Sequence, residues 1–328
     1  MPLISVVIPT YNRADLLPRA IQSVLNQTFK DFELIVVDDG STDNTEEIVA
    51  GFRRQIGNVF YVRQPNSGQC ADPKNHGIEL STGRYLAFLD SDDEWLPRKL
   101  EMQLQLLENK PALGFVGCNI TVFDNKTGLT LRTHDLDRYV RNDFVEEVLK
   151  LNVLTPSAVM VRRAVIDNVG VFDTELNVAD DLDMWLRISD KYAFGFVPEY
   201  LLRYCIHGGS MLGNLRIKNE TIEYERIFAK HRERMARYPS VYRSALRRLG
   251  SKYCAMGESP KGRAYYAQAL RSDPRSLKMR LLYLSSYFFG EKSYAAVYRL
   301  KREGSRARSK INMAISVFFR VVGRNKAS

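Results

Sequence analysis

The five residues from Asp90 to Glu94, inside the segment YLAFLDSDDEW (Tyr85 to Trp95), include four acids. Tyr85 to Leu89 is apolar and β-favouring, and reads as a buried strand running straight into Asp90, Asp92 and Asp93. Carboxylates this close repel one another unless a cation or water screens them. Mg²⁺ and Mn²⁺ choose carboxylate oxygens and keep positions open for substrate phosphates, so acids at the carboxyl end of an inner strand suggest a metal–diphosphate site. The plainer alternative is an acidic loop capping the helix that starts near Leu96, and the segment alone does not separate the two. A second acidic pair, Asp180 and Asp181, opens DDLDMWLRIS, in which Leu182, Trp185, Leu186 and Ser189 share one helical face. Carboxylates are favourable at a helix N-terminus, so capping by itself accounts for that pair.

These acids need elements to position them. ISVVIPTYNR (Ile4 to Arg13) and LIVVDDGSTD (Leu34 to Asp43) are short apolar strands that end in polar turn residues. Between them, Leu16 to Leu25 is apolar at 17, 20, 21, 24 and 25, the spacing of a helix, with Pro18 tolerable in its first turn. The order repeats with Val59 to Val62 as strand and Asp72 to Leu80 as helix, Asp72 serving as N-cap and Pro73 as first helical residue. Alternating β and α units predict an α/β fold with a mostly parallel sheet flanked by helices. Ligands bind such sheets outside the carboxyl ends of the strands. Neither G-x-G-x-x-G after the first strand nor G-x-x-x-x-G-K-[ST] anywhere occurs, so a dinucleotide fold and a P-loop are poorly supported. In their place stand Tyr11, which can stack on a base, and Asp39, which can accept hydrogen bonds from base N–H groups; the alternative for Asp39-Gly40 is ordinary tight-turn chemistry. The region after the acidic strand is less parallel. Leu113 to Phe123 predicts a long strand, Asp124 to Thr127 a hairpin turn, Leu129 to Arg132 its return, and Ser157 to Val161 another strand. Tyr200 to Ile206 predicts an edge strand leading into His207-Gly208-Gly209-Ser210, a glycine pair suited to a mobile loop that closes on ligand.

IPTYNR, VVDDGSTD and FLDSDD, in this order and spacing, resemble family 2 of the glycosyltransferases over residues 3 to 210. The resemblance implies the GT-A fold and an inverting enzyme that uses a nucleotide-diphospho-sugar, most often a UDP-sugar, with Mn²⁺ or Mg²⁺. Carried onto this chain, it implies that Pro9, Tyr11 and Arg13 border the nucleoside and that Asp39 hydrogen-bonds the base. Asp90 and Asp92 become the Asp-x-Asp element, Asp92 ligating the metal and Asp90 lying by the ribose or the metal's water shell. Asp181, six residues before Arg187, becomes the catalytic base, and His207 completes the metal shell or contacts the diphosphate. One departure stands out: Pro73-Lys74-Asn75-His76-Gly77 occupies the place of the family's usual A-R-N-x-G. Lys74 replaces an arginine; a point charge lacks the bidentate fork but can neutralise a diphosphate, aided by a helix N-terminus. The alternative for Lys74 is a solvated surface lysine. The Q-x-x-R-W element of processive relatives is absent, which argues against polymerisation.

Charge divides the 328 residues: positions 1–200 hold 20 Lys and Arg against 30 Asp and Glu, a net of −10, and positions 201–328 hold 28 against 8, a net of +20. This predicts a catalytic domain over 1–212 and a basic helical region over 213–328. In the latter, Leu215 to Arg237 reads as one long helix, followed by Ser240 to Met256 and Lys261 to Leu270; the segment Gly262 to Leu270, then Ser272-Asp273-Pro274, resembles a single tetratricopeptide-like helical hairpin. Within 299–328, Ile311 to Val322 is largely apolar amid basic residues, the pattern of an amphipathic anchor on anionic lipid, a partner-binding helix or a solvated tail. No recognition motif supports nucleic-acid binding. Cys70, Cys118, Cys205 and Cys254 form no C-x-x-C, against a zinc site or disulfide framework; with no targeting segment before the first strand and no 18-residue apolar run, they suit a cytoplasmic protein, peripheral on the inner membrane face at most. The expected acceptor is a hydroxyl of a glycan or lipid-linked glycan. The alternatives are a non-catalytic nucleotide-sugar-binding subunit and a protein that docks through its basic half.

Overall fold

Four parallel strands, β1 (Ile4–Thr10), β2 (Phe32–Asp38), β3 (Val59–Arg63) and β4 (Tyr85–Phe88), pair side by side in the order β3-β2-β1-β4. Ile4 lies opposite both Phe32 and Tyr85, and Thr10 opposite Asp38, so these strands discharge their polar ends along one edge. The side chains of β1, β2 and β4 are buried on both faces, which is why these strands read as unbroken apolar runs and not alternating ones, while β3 at the edge leaves Phe60 and Arg63 exposed. The computed structural model describes residues 1–55, 58–152, 154–208 and 217–288, and the chain forms two compact units, Met1–Asn214 and Leu215–Ser328. Helices α1 (Leu17–Leu25), α2 (Thr45–Gln55) and α3 (Ala71–Leu80) connect the parallel strands. α3 lies so close to the sheet that a Cβ on Gly77 would stand 2.2 Å from Cγ1 of Val7.

The sheet then turns mixed. β8 (Met160–Arg162) runs antiparallel to both β4 and β6 (Leu113–Asp124), β9 (Ala193–Ile206) runs parallel to β6, β5 (Glu94–Trp95) closes that edge against β9, and β7 (Thr130–His134) pairs with β6 as a hairpin. The overall class is therefore the expected GT-A arrangement, a helix-flanked sheet, parallel in its first half and mixed in its second. β9 is not the edge strand expected over Tyr200–Ile206. It starts at Ala193 and lies between β6 and β5. Pro198, which has no N–H to give to a ladder, falls in a bulge: Val197 faces Cys118 and Tyr200 faces the next residue, Asn119, leaving Pro198 and Glu199 out of register. The strand expected from Ser157 to Val161 begins instead as a 3₁₀ turn, Pro156–Ala158, before β8. α3 is capped by the backbone of Cys70, so Asp72 and Pro73 sit inside its first turn; proline is tolerated there because those N–H groups have no intrahelical partner. Helices α4 (Lys99–Asn109), α5 (Arg138–Arg141), α6 (Phe144–Lys150), α7 (Arg163–Val169) and α8 (Asp180–Ser189) complete this unit.

The second unit is helical: α9 (Ile217–Lys230), α10 (Arg232–Ala236), α11 (Pro239–Ala255), α12 (Ser259–Ser272) and α13 (Leu277–Phe288). The single helix expected over Leu215–Arg237 breaks at His231, and Pro239 then starts α11 at the position where its missing N–H costs nothing. α11 and α12 cross at two glycines: a Cβ on Gly250 would meet the Tyr266 ring at 2.5 Å, and one on Gly262 would meet Sγ of Cys254 at 2.5 Å. Glu225 of α9 ties to this hairpin by accepting hydrogen bonds from the Tyr253 and Tyr265 hydroxyls and from Lys261 (3.0 Å). Gly209, Ser210 and the basic 299–328 stretch lie outside the described residues. Among the described residues no helix is long and apolar enough to cross a membrane.

Candidate active site

Three strand ends build the site. After β1, Asn12 adopts a left-handed backbone (φ 50°), a region Asn tolerates better than most residues. Its N–H donates to Oγ of Ser41 (2.9 Å), and its Oδ1 accepts from the N–H of Thr42 (2.7 Å), joining the β1 and β2 loops. Tyr11 is left 47% exposed at this edge, between half-buried Pro9 and Arg13. At the end of β2, Asp38 is structural: it is buried and accepts from the Tyr61 hydroxyl (2.6 Å) and the Ser41 N–H (2.8 Å). Asp39 is also buried, but both its oxygens are capped. Oδ1 accepts from Nε2 of Gln64 (2.7 Å), Oδ2 accepts from Oγ of Ser67 (3.1 Å), and the Ser67 N–H is shared between them (3.1 and 3.2 Å). His76 Nδ1 lies 2.7 Å from Oε1 of Gln64, which fixes the orientation of that amide. Gln64, Ser67 and His76 carry no sequence signal for this role, since nothing local shows that the loop after β3 folds back onto a carboxylate at the end of β2.

At the end of β4 the acids take separate roles. The N–H of Asp90 donates to Oγ of Ser157 (3.0 Å), and a turn closed by the Asp93 N–H on the Asp90 carbonyl (3.0 Å) points Asp93 inward. Asp92 reaches the His207 imidazole, Oδ2 to Nε2 at 2.9 Å, across 115 residues of sequence. From behind, Arg19 donates to the Asp92 carbonyl (2.9 Å) and to Oδ1 of Asn125 (2.9 Å) while lying 5.1 Å from the centre of the Phe123 ring. Asp93 is 1% exposed; Oδ1 accepts from the N–H of Cys205 (3.0 Å), and Oδ2 has no hydrogen-bond partner among the described residues. Burial, reinforced by the charges of Asp92 and Asp90, pushes Asp93 well above the usual carboxylate range. Burial and the Asp92 charge push Asp90 up to about 6, against the pull of Lys74. This is a place short of positive charge. Asp92 and His207 can hold a Mg²⁺ or Mn²⁺ ion, which binds readily to one or two protein groups when substrate phosphates and water supply the rest. Among the described residues no cluster of three or more His, Cys, Asp or Glu side chains forms a closed protein cage for a metal.

The third part comes from α3 and α8. Lys74, 4% exposed, is neither a solvated lysine nor open to solvent: its ammonium pairs with Asp180 and lies 4.6 Å from the centre of the Phe172 ring. Burial disfavours its charge, but Asp180 and Asp90 outweigh that and hold its pKa above the ordinary value. Asn75 locks the same junction, donating to the Phe172 carbonyl (2.8 Å) and accepting from the Phe172 N–H (2.9 Å). Asp181, the next residue of α8, accepts from the N–H of Leu182 (2.6 Å), and burial with the Asp180 charge pushes its carboxyl up to about 7. Asp183 is buried and pairs with Arg187 (2.7 Å), whose guanidinium also donates to the carbonyls of Val169 (2.7 Å) and Val171 (2.8 Å). Arg187 thus fastens α8 to the loop after α7, a structural task that its spacing from Asp181 did not reveal.

Known proteins share this architecture. The profile of glycosyl transferase family 2 matches residues 5–170. The chain is 32% identical over 216 residues to the putative teichuronic acid biosynthesis glycosyltransferase TuaG of Bacillus subtilis, covering 65% of this chain and 82% of that protein. In fold it is similar to S. aureus TarS 1–349 in complex with UDP-GlcNAc, at 20% identity and a TM-score of 0.65 over 89% of this chain and 91% of that one. It is also similar to the mannosyltransferase PcManGT of Pyrobaculum calidifontis in complex with GDP-Man and Mn²⁺, at 19% identity and a TM-score of 0.55 over 98% of this chain and 86% of that one.

Proposed function

Since the chain belongs to glycosyl transferase family 2, we propose that it transfers a sugar from a UDP-sugar to a hydroxyl of a glycan or lipid-linked glycan, inverting the anomeric centre. The observation that carries this reading is Asp181. A carboxyl held at about 7 at a helix start is matched to taking a proton near neutral pH. In the proposed step Asp181 takes the acceptor hydroxyl's proton, the oxygen forms its bond to the anomeric carbon, and the bond from that carbon to the diphosphate oxygen breaks on the opposite face. Lys74 contributes in two ways: it holds Asp180 in place beside the base, and its charge acts on Asp90 at the donor side. A divalent ion on Asp92 and His207 would stabilise the charge of the leaving diphosphate.

Uracil suits the nucleoside edge better than guanine. Guanine presents two adjacent donors, N1–H and N2–H, and would need both Asp39 oxygens. Ser67 and Gln64 already occupy both in part, leaving room for a single donor such as the uracil N3–H. Tyr11 offers its exposed ring for stacking, with Pro9 and Arg13 beside it. Polysaccharide synthesis is the setting that the name of TuaG supports. The test is a thermal-shift panel of nucleotides and nucleotide-sugars with and without Mn²⁺. Stabilisation by UDP and one UDP-sugar, greater with Mn²⁺, is expected; stabilisation by GDP alone, or by no nucleotide, overturns the donor assignment.

A further inference from the structure

The helical unit contains a cleft remote in sequence from every residue assigned above. It has a volume of about 530 Å³ and is lined by Arg232 of α10, Tyr242 of α11, and Gln268, Arg271 and Ser272 at the end of α12. That volume falls within the roughly 300–1,000 Å³ typical of ligand sites. Two features set it apart from ordinary surface. First, neither arginine pairs with a described carboxylate, although this unit has acids to offer. Glu225 is engaged by Tyr253, Tyr265 and Lys261, Glu220 by Lys252 (2.6 Å), and Asp273, next to Ser272 in sequence, faces Arg243 (3.8 Å). Second, the other lining groups are a phenol, an amide and a hydroxyl, all able to donate and accept hydrogen bonds and none of them an acid. Residues 217–288 hold 16 Lys and Arg against six Asp and Glu, a net positive charge that favours anionic ligands.

We propose that this cleft binds an anionic segment of a glycan chain, one carrying phosphate or carboxylate groups. Guanidinium forks match either oxyanion, with two parallel N–H···O bonds each. The phenol, amide and hydroxyl suit the sugar hydroxyls between the charges. A membrane is the weaker occupant: the lining includes no aliphatic or Trp side chain to enter the acyl boundary. The site rests on the glycosyltransferase reading for its purpose, which is to hold an anionic acceptor near the enzyme by a second attachment and so raise its effective concentration.

The test uses the full chain without donor or metal, so its outcome is independent of the chemistry assigned to the first unit. Binding of glycerol-phosphate oligomers, galacturonate oligomers, neutral dextran of matched length and phosphatidylglycerol vesicles is measured by calorimetry at two salt concentrations. One or both anionic oligomers are expected to bind, more weakly at high salt, with dextran silent; which of them binds identifies the charged group. Arg232→Gln with Arg271→Gln should weaken that binding by about tenfold per arginine, and Arg232→Lys with Arg271→Lys should recover part of it. UDP stabilisation, measured in a separate thermal-shift run on the same variants, should not change in either. Equal oligomer binding by the glutamine variant overturns the proposal, as does binding to vesicles alone that is lost on the same substitution.

Discussion

Replacing Asp181 by Asn should move activity and stability in opposite directions. On the activity side, general-base catalysis contributes about 10²–10⁴-fold. An amide cannot take the acceptor's proton, so kcat should fall by that factor, about 3–5 kcal/mol of transition-state stabilisation, while UDP-sugar binding persists. On the stability side, the sign follows from the raised carboxyl. Folded Asp181 keeps its proton up to about 7, whereas the unfolded side chain releases it at the ordinary value of 3.8. Between those two pH values the native state binds the extra proton, so stability falls as pH rises through the window; below it both states are protonated and above it both are ionised. The gap corresponds to ~4 kcal/mol at pH 8, an upper bound because Asp180 and Lys74 share the titration. Asn keeps the oxygen that accepts from the Leu182 N–H and never carries the charge. The variant should therefore match the parent near pH 4 and gain progressively up to pH 7. The assay is urea unfolding in chelator at four pH values between 4 and 8, alongside transfer kinetics. Transfer retained within tenfold would refute the base assignment. A variant less stable than the parent at pH 8 would refute the claim that the ionised carboxylate is strained by its surroundings.

Other expectations follow from the same contacts. Lys74→Met leaves Asp180 buried and unpaired and should cost about 3–5 kcal/mol in chemical denaturation, most of it recovered when Asp180→Leu is added; a loss below 1 kcal/mol would mean that the pair is not buried in solution. His207→Ala should weaken UDP binding about tenfold in Mn²⁺ and leave metal-free binding unchanged, and an equal loss in both conditions would remove His207 from the metal. Ser67→Ala removes the hydroxyl that donates to Oδ2 of Asp39 and leaves only the shared backbone N–H there, so competition between UDP and GDP should shift towards GDP by about tenfold, the value of one hydrogen bond to a charged group; an unchanged ratio would disconnect Asp39 from the base.

The parallel half of the fold was legible because strands buried on both faces announce themselves as unbroken apolar runs, and because each run stops at the polar residue that leaves the sheet. That logic located Tyr11, Asp39 and Asp90 at one edge. It failed where long-range contacts outweigh local pattern. The expected edge strand over Tyr200–Ile206 is the second half of an inner strand that begins at Ala193, and the bulge at Pro198 and Glu199 that interrupts it is invisible in sequence. Asp72 looked like an N-cap, yet the helix starts two residues earlier, with Cys70 at the N-cap position and Ala71 as its first residue. Asp93 resembles its neighbours in every local property; only the turn on Asp90 and the N–H of Cys205, 112 residues away, make it the buried one. Lys74 read as a cation for phosphate, and its partner Asp180, 106 residues on, could not be found from spacing.

The long reach of the contacts at the acidic loop has a consequence for synthesis. Ribosomes add about 5–20 residues per second, so the 115 residues between Asp92 and His207 take roughly 6–23 s to emerge. Over that interval β1 to β4 are present, but Asp92 lacks its imidazole and Asp93 lacks the Cys205 N–H that β9 brings. The nascent first half must carry its acids facing water and cannot close the loop until the last strand arrives. On the proposed reading, metal-assisted capture of the donor is a property the chain acquires late, after nearly all of its first unit has been made, and a ribosome stalled before residue 207 would present the nucleoside edge without the imidazole that faces Asp92.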